Sequence, residues 1–274
     1  MSTIKNFIKM ILQLRKEEKY VPIEHKVDGK SQFKNKVALI SGGTGGIGLS
    51  IAKSLLESGC KVIVAGTNIK KLELIKKENP SFETIVMDYS NANEIDKEFS
   101  NAVAIYGKID IFISSAGVHT ENVDFWSMNP KEFERILNIN LEGTYFACQA
   151  AGKYMKEKGI KGHILLISSS RGSEPAWSPY GISKWGIKGL TQGLAQVLIP
   201  YDIIVNAIAP GTTATPLVGY KENDYIYTNE NHENRLIMPD EVASLAKYLV
   251  SDSANMIAGE TIHISGGRGI FDIR

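Results

Sequence analysis

The 274-residue sequence has only two cysteines, Cys60 and Cys148, too few for a disulfide framework. Both lie in apolar runs and read as reduced core thiols, the pattern expected of a cytoplasmic protein. No run of 18 or more apolar residues occurs, so no membrane-spanning helix is expected. Excess charge is missing too. The 31 Lys and Arg against 30 Asp and Glu leave +1, which gives no electrostatic footprint for nucleic acid. Aromatic residues are an ordinary 8%, and neither an internal repeat nor a low-complexity tract is present. What remains, at 43% apolar content, suffices for one large core.

Residues 1–35 differ from the rest. Ile4, Phe7, Ile8, Ile11 and Leu14 recur at helical spacing, with Lys5, Lys9, Gln13 and Lys16 largely on the other side. Lys9 interrupts the apolar stretch and no small-residue cleavage site follows, which argues against a secretory signal. Such a basic amphipathic helix could lie on an anionic membrane. The expected reading is instead packing on its own domain or on a neighbouring subunit, with disorder as the other alternative.

From Lys36 onward, short apolar runs alternate with helical patterns. Strands are expected at Val37–Ser41, Cys60–Ala65, Glu83–Asp88, Ile109–Ser114, His163–Ser168, Ile203–Ile208 and Glu260–Ile264. Helices are expected at Ile47–Ser58, Ile69–Glu78, Ala92–Tyr106, Pro130–Lys158, Ser178–Leu198 and Pro239–Leu249. Continuously apolar strands alternating with helices predict an α/β fold: a single doubly wound (Rossmann) parallel sheet with helices on both faces. The expected organisation is therefore residues 1–35 as an N-terminal helical extension and residues 36–274 as one domain.

Two stretches carry chemistry. Ser41-Gly-Gly-Thr-Gly-Gly-Ile-Gly48 lies between the first strand and the first helix. Glycines there allow a tight turn and let a pyrophosphate approach free N–H groups at a helix N-terminus. Tyr180 and Lys184, four apart, project from one face of a helix. An ammonium about 4 Å from a phenol interacts by roughly 4 kcal/mol at an effective dielectric near 20. That could lower a phenol from about 10 towards about 7, the range a general acid/base needs.

The spacing Ser41-Gly42-x-x-x-Gly46-Ile47-Gly48 resembles the glycine turn of the short-chain dehydrogenase/reductase family, with Ser in place of Thr. Further marks follow in the family's order. They are Asp88, Ser114-Ser-Ala-Gly117, Asn140-Leu-x-Gly143, Ile167-Ser-Ser169, Tyr180-x-x-x-Lys184 and Asn206-x-x-x-Pro210-Gly211-x-x-x-Thr215. The resemblance, to the 3-oxoacyl-carrier-protein-reductase-like branch, covers about Lys36 to Ile270. It implies hydride transfer between NAD or NADP and a carbonyl/secondary alcohol pair.

By that resemblance Tyr180 is the general acid/base and Lys184 lowers its pKa and binds the nicotinamide ribose. Asn140 holds a water linking Lys184 to solvent, and a serine orients the carbonyl. The family's usual serine position, thirteen before the tyrosine, is here Ile167, so the end of the strand is aligned instead and Ser169 is chosen; Ser168 and Ser170 stay open. The implied cofactor contacts are Ser41, Gly42, Thr44, Gly46, Ile47, Gly48, Thr67, Asn68, Asp88, Tyr89, Ala116, Gly117, Tyr180, Lys184, Pro210, Gly211, Thr213 and Thr215. The second strand ends in Gly66-Thr67, without the family's acidic NAD marker or its arginine. This leaves room for a phosphate near Thr67, Asn68 and Lys70 or Lys71, so NADP is the expected cofactor. Ser114-Ser115 in place of the family's asparagines is expected to affect bracing of the sheet and not chemistry.

His119, Arg171, Glu174, Trp177 and the stretch 217–235, with Tyr220, Tyr225, Tyr227 and His232, are expected around the substrate mouth. His163 and His263 read as structural. No metal site is expected, and the resemblance implies a homo-oligomer, dimer or tetramer. Two rival functions remain: a catalytically inactive nucleotide sensor or scaffold of the same fold, and an epimerase or dehydratase-type relative.

Overall fold

Successive side chains of a strand point to opposite faces, so a strand covered on both sides must be apolar throughout. Strand β1 (Val37–Ser41) shows this directly: Val37 and Leu39 enter one core cluster and Ala38 and Ile40 the other. The computed structural model describes residues 32–120, 123–221 and 224–271. The remaining strands are β2 (Lys61–Gly66), β3 (Phe82–Val86), β4 (Ile111–Ser114), β5 (His163–Ile167), β6 (Ile204–Pro210) and β7 (Thr261–Ile264). They form a seven-stranded sheet in the order β3-β2-β1-β4-β5-β6-β7, parallel throughout. Leu39 sits beside Ile63 on one flank and Phe112 on the other. This is the doubly wound Rossmann architecture.

Helices α1 (Gly46–Glu57) and α2 (Ile69–Glu78) cover one face together with α7 (Pro239–Leu249), through Ile51, Leu55, Leu72, Ile75, Val242 and Leu249. The other face is covered by α3 (Ile95–Tyr106), α5 (Thr144–Lys158) and α6 (Pro179–Leu198), through Phe99, Cys148, Met155, Ile187 and Leu198. The short α4 (Pro130–Leu137) precedes α5 and buries Ile136. A fully buried Ile, Leu or Phe contributes roughly 1.5–3 kcal/mol, whereas a helix cap is worth about 1 kcal/mol. The two core layers therefore dominate, and the caps decide where helices begin. Ser178 is such a cap: its Oγ accepts from the Gly181 N–H at 3.2 Å, and Pro179 occupies the first helical position. That start puts Tyr180 in the first turn of α6.

One expected element differs. The helix anticipated over Pro130–Lys158 is interrupted by a π-helical stretch, Asn138–Gly143. Gly143 lies so close to the loop after β3 that a Cβ would meet Tyr89 atoms at 2.5 Å. Asn140 is drawn inward and is 1% exposed. Its Oδ1 accepts from the Val118 N–H at 2.8 Å, and its Nδ2 donates to the Val118 carbonyl at 2.9 Å. A π turn leaves no periodic mark in hydrophobicity, and such turns are frequent at functional sites.

Phe33 is buried at 2% exposure, and its N–H donates to the Ser58 carbonyl at 3.3 Å. Packing against the sheet thus begins before β1. The amphipathic helix expected nearer the N-terminus lies outside the described residues. No helix among the described residues is long and apolar enough to cross a membrane.

The strand order reverses at β1, which has β2 on one side and β4 on the other. Chains leaving the carboxyl ends of β1 and β4 diverge to opposite faces, and the crevice between them is where open α/β sheets bind ligands.

Candidate active site

The β1–α1 turn is shaped by glycines that could carry no side chain. Gly42 has φ +64°, and a Cβ on it would lie 2.6 Å from the Ala116 nitrogen. A Cβ on Gly48 would lie 2.4 Å from the Gly42 carbonyl oxygen. Gly45, by contrast, borders open space and starts α1 without any side-chain cap. The first amides of α1 consequently face the crevice, as an anion-binding helix start requires.

A cavity of about 540 Å³ opens there. Among the expected cofactor residues, Gly42, Thr44, Gly46, Ile47, Gly117, Tyr180, Lys184, Pro210, Gly211, Thr213 and Thr215 line it. Ser41, Gly48, Thr67, Asn68, Asp88, Tyr89 and Ala116 do not. Asn68 instead caps α2, accepting from the Lys71 N–H at 3.0 Å, and this holds Lys71 on the cavity wall. Asp88 accepts from the Ser90 N–H and hydroxyl at 2.9 and 2.8 Å. Ser41 and Tyr89 face the interior. The Tyr89 hydroxyl donates to Ser41 Oγ at 2.8 Å and lies 3.2 Å from Ser114 Oγ. This buried hydroxyl cluster braces β1 against β4 beneath the glycine turn.

Ser168, Ser169 and Ser170 all line the same cavity as Tyr180 and Lys184. Ser168 and Ser169 follow β5, and Ser169 keeps an extended backbone. Ser168 is buried with its Oγ donating to the Lys184 carbonyl at 3.2 Å. Ser170 is 2% exposed. Ser169 has φ −165° and ψ 156°, and its side chain acts to lower the Tyr180 pKa. It also accepts from the Arg171 N–H at 3.2 Å.

The electrostatics of the pair differ from the expected depression of the phenol. Burial raises the Tyr180 pKa above its ordinary 10, opposed only in part by the Ser169 side chain and the Arg171 charge. Lys184 is itself buried, which lowers its pKa from 10.5 to about 8. Its Nζ donates to the Ile167 carbonyl at 2.9 Å and lies 5.6 Å from the centroid of the Tyr180 ring. Desolvation governs both groups, and spacing in sequence carries no information about it.

His119, Arg171, Thr212, Glu230 and Arg268 also line the cavity. The His119 ring lies over that of Tyr180 with centroids 4.4 Å apart and a tilt of 36°. Glu174 is not a lining residue but pairs with Arg171 at 2.9 Å and with Arg268 at 2.8 Å. Trp177, Tyr220, Tyr225, Tyr227 and His232 lie off the wall. His163 hydrogen-bonds Asn255 at 3.0 Å, and burial lowers its pKa to about 4. His263 hydrogen-bonds Ser173 Oγ at 3.1 Å. Arg268, like Thr212 and Pro216, is a lining residue that sequence reasoning missed. The glycines on either side of Arg268 mark a turn just past the last strand, but no local feature tells which partners it meets.

The short chain dehydrogenase family model matches residues 36–226. The chain is 32% identical over 252 residues to a 3alpha-hydroxysteroid dehydrogenase of Mediterraneibacter gnavus, covering 85% of this chain and 97% of that protein. It is 31% identical to a 3-oxoacyl-[acyl-carrier-protein] reductase of Aquifex aeolicus, over 86% of this chain and 98% of the relative. Its fold superposes on the 3-ketoacyl-(acyl-carrier-protein) reductase of Brucella melitensis, solved in complex with NADH. That match has a TM-score of 0.80 at 29% identity and covers 87% of this chain and all of the other. An actinorhodin polyketide ketoreductase solved with NADPH gives a TM-score of 0.78 at 27% identity, over 88% and 99% of the two chains. A glycine turn opening on a seven-stranded parallel sheet, and a family match across most of the chain, lead to one conclusion: the chain belongs to the short-chain dehydrogenase/reductase family of NAD(P)-dependent oxidoreductases, within its 3-oxoacyl-carrier-protein-reductase-like branch.

Proposed function

We propose that the protein is an NADP-preferring reductase of a ketone or other carbonyl compound, with Tyr180 as general acid/base. The observation that supports this most is the convergence of Ser169, Tyr180 and Lys184 on the cavity that the N-terminus of α1 also faces. The cavity fits a nicotinamide dinucleotide: open space at Gly45 for a pyrophosphate, donors at the start of α1, and a floor at Pro210-Gly211. When bound there, the nicotinamide supplies the hydride.

The chain's own residues do the rest. The phenol of Tyr180, kept neutral by its raised pKa, gives its proton to the substrate oxygen. Ser169 donates to the same oxygen and fixes its direction, a donor in place before charge develops. Lys184 stays mostly cationic below about 8 and supports the phenolate left after transfer. A Cβ on Gly117 would sit 3.4 Å from Asn140 Oδ1 and 3.7 Å from Lys184 Nζ. Glycine there leaves room for the water that Asn140 would hold between Lys184 and solvent.

The test is NADPH fluorescence on titration, followed by turnover against a panel of ketones. Ser169→Ala is expected to lower kcat by about 10²-fold or more. Ser168→Ala and Ser170→Ala should stay within a few-fold. The reverse ranking would move the assignment to another serine.

The NADP preference rests on the missing acid after β2 and on Lys71, whose side of α2 borders the cavity. A cation there suits a 2′-phosphate. Lys71→Glu is expected to raise the KM for NADPH about tenfold or more while changing that for NADH little. Wild-type efficiency with NADH equal to that with NADPH would remove the preference. The two free, buried thiols support a cytosolic setting. We retain the homo-oligomer, dimer or tetramer, as part of the proposal; light scattering tests it.

A further inference from the structure

We propose that Arg268 is a positioning residue that couples the Glu230 segment to the loop carrying Ser169, so that both walls of the substrate end are set together. The inference rests on the reading of Ser169 and Tyr180 given above. Arg268 follows β7 and lies beyond the stretch matched by the family model. Its Nε donates to Glu174 Oε1 at 2.8 Å, and one terminal nitrogen donates to Thr212 Oγ1 at 3.0 Å. The same terminal nitrogen pairs with Glu230, whose carboxylate also accepts from the Thr212 hydroxyl. One planar guanidinium thus holds three chain segments: the Ser169 loop, the turn after β6, and the 228–236 stretch.

Each anchor is tied in turn. The other oxygen of Glu174 accepts from Arg171 at 2.9 Å, two residues after Ser169. The Glu174 carbonyl accepts from Trp185 Nε1 at 2.7 Å, next to Lys184 on α6. The turn bearing Arg268 is wedged between the two walls. A Cβ on Gly266 (φ +59°) would lie 2.7 Å from Asn231 Cβ, and one on Gly269 (φ +78°) would lie 2.8 Å from the Ser170 carbonyl oxygen. The Arg268 and Glu174 side chains are 15% and 18% exposed, so the pair is shielded where a surface ion pair would be weak. A forked donor set is needed to reach all three partners; an ammonium is a point charge that can satisfy fewer of them in fixed geometry.

The experiment is amide hydrogen exchange on the full chain, with and without NADPH, for Arg268→Gln, Arg268→Lys and Glu230→Gln. Arg268→Gln is expected to speed exchange about tenfold in both 169–179 and 228–236, leaving the strands protected. Arg268→Lys should restore part of the protection. In parallel, kcat for ketone reduction should fall about tenfold in Arg268→Gln, with NADPH affinity within twofold of wild type and partial rescue by Lys. Loosening of one segment alone would overturn the coupling, and so would a lowered melting temperature with unchanged exchange and kinetics. If Arg268→Gln does not fold, Glu230→Gln decides: faster exchange in both segments supports the coupling, and faster exchange near 230 alone overturns it. A wild-type protein inert towards every ketone would instead sink the proposed reaction, while the exchange data would still decide the coupling.

Discussion

A Tyr180→Phe variant is expected to lose turnover by about 10³-fold while binding NADPH within a few-fold of wild type. General acid/base groups contribute roughly 10²–10⁴-fold, and phenylalanine keeps the ring against His119 while removing the proton. The pH profile is the sharper reading. Burial raises the phenol, so the donor form persists through neutral pH and carbonyl reduction should hold until pH climbs through that raised value. Alcohol oxidation, which needs the deprotonated form, should rise with pH over the same range. The variant should lose this limb. Cofactor binding without turnover in the wild type, together with no effect of the substitution, would favour the nucleotide sensor over the enzyme.

Lys184→Met is expected to abolish most activity and yet stabilise the cofactor-free protein at pH 7. The lysine is buried, and its pKa falls from 10.5 to about 8. At about 1.4 kcal/mol per pH unit this corresponds to roughly 3 kcal/mol of unfavourable charge burial. Loss of its hydrogen bond to the Ile167 carbonyl takes back about 1 kcal/mol. The sign follows from proton uptake. Between about 8 and 10.5 the unfolded chain binds more protons at this site than the folded one, so wild-type stability rises with pH across that window. Below about 8 both states are protonated and the full cost is present. The advantage of the methionine variant should therefore be largest at pH 7 and shrink towards pH 10.5, as thermal melts at a series of pH values will show. An equal or lower melting temperature at pH 7 would mean that the ammonium is not desolvated as its surroundings require.

The same two residues show what a linear sequence can and cannot convey. Their spacing put Tyr180 and Lys184 on one helical face because helix geometry is local and repeats with every turn. The expected depression of the phenol did not follow, because desolvation depends on what packs around a group. His119 above the ring comes from the loop after β4, and the Ile167 carbonyl at the ammonium from the end of β5. Asn140 was legible as a motif but its π turn was not, since the close approach of Gly143 to Tyr89 there is a long-range contact. Arg268 was invisible for a different reason. Its partners Glu174, Thr212 and Glu230 are 94, 56 and 38 positions away, and nothing local distinguishes an arginine that meets them from one in solvent.

By itself, the sequence determined the parallel doubly wound sheet, the glycine turn and the placement of Tyr180 over Lys184. Each follows from short-range periodicity, backbone freedom at glycine, or the need to bury both faces of a strand. Only the tertiary structure decided that Ser168, Ser169 and Ser170 all border one cavity with Tyr180 and Lys184, what sets the charge states of the pair, and which other residues line that cavity. Those depend on long-range contacts that form together only when the carboxyl ends of β1, β4, β5, β6 and β7 meet at one edge of the sheet.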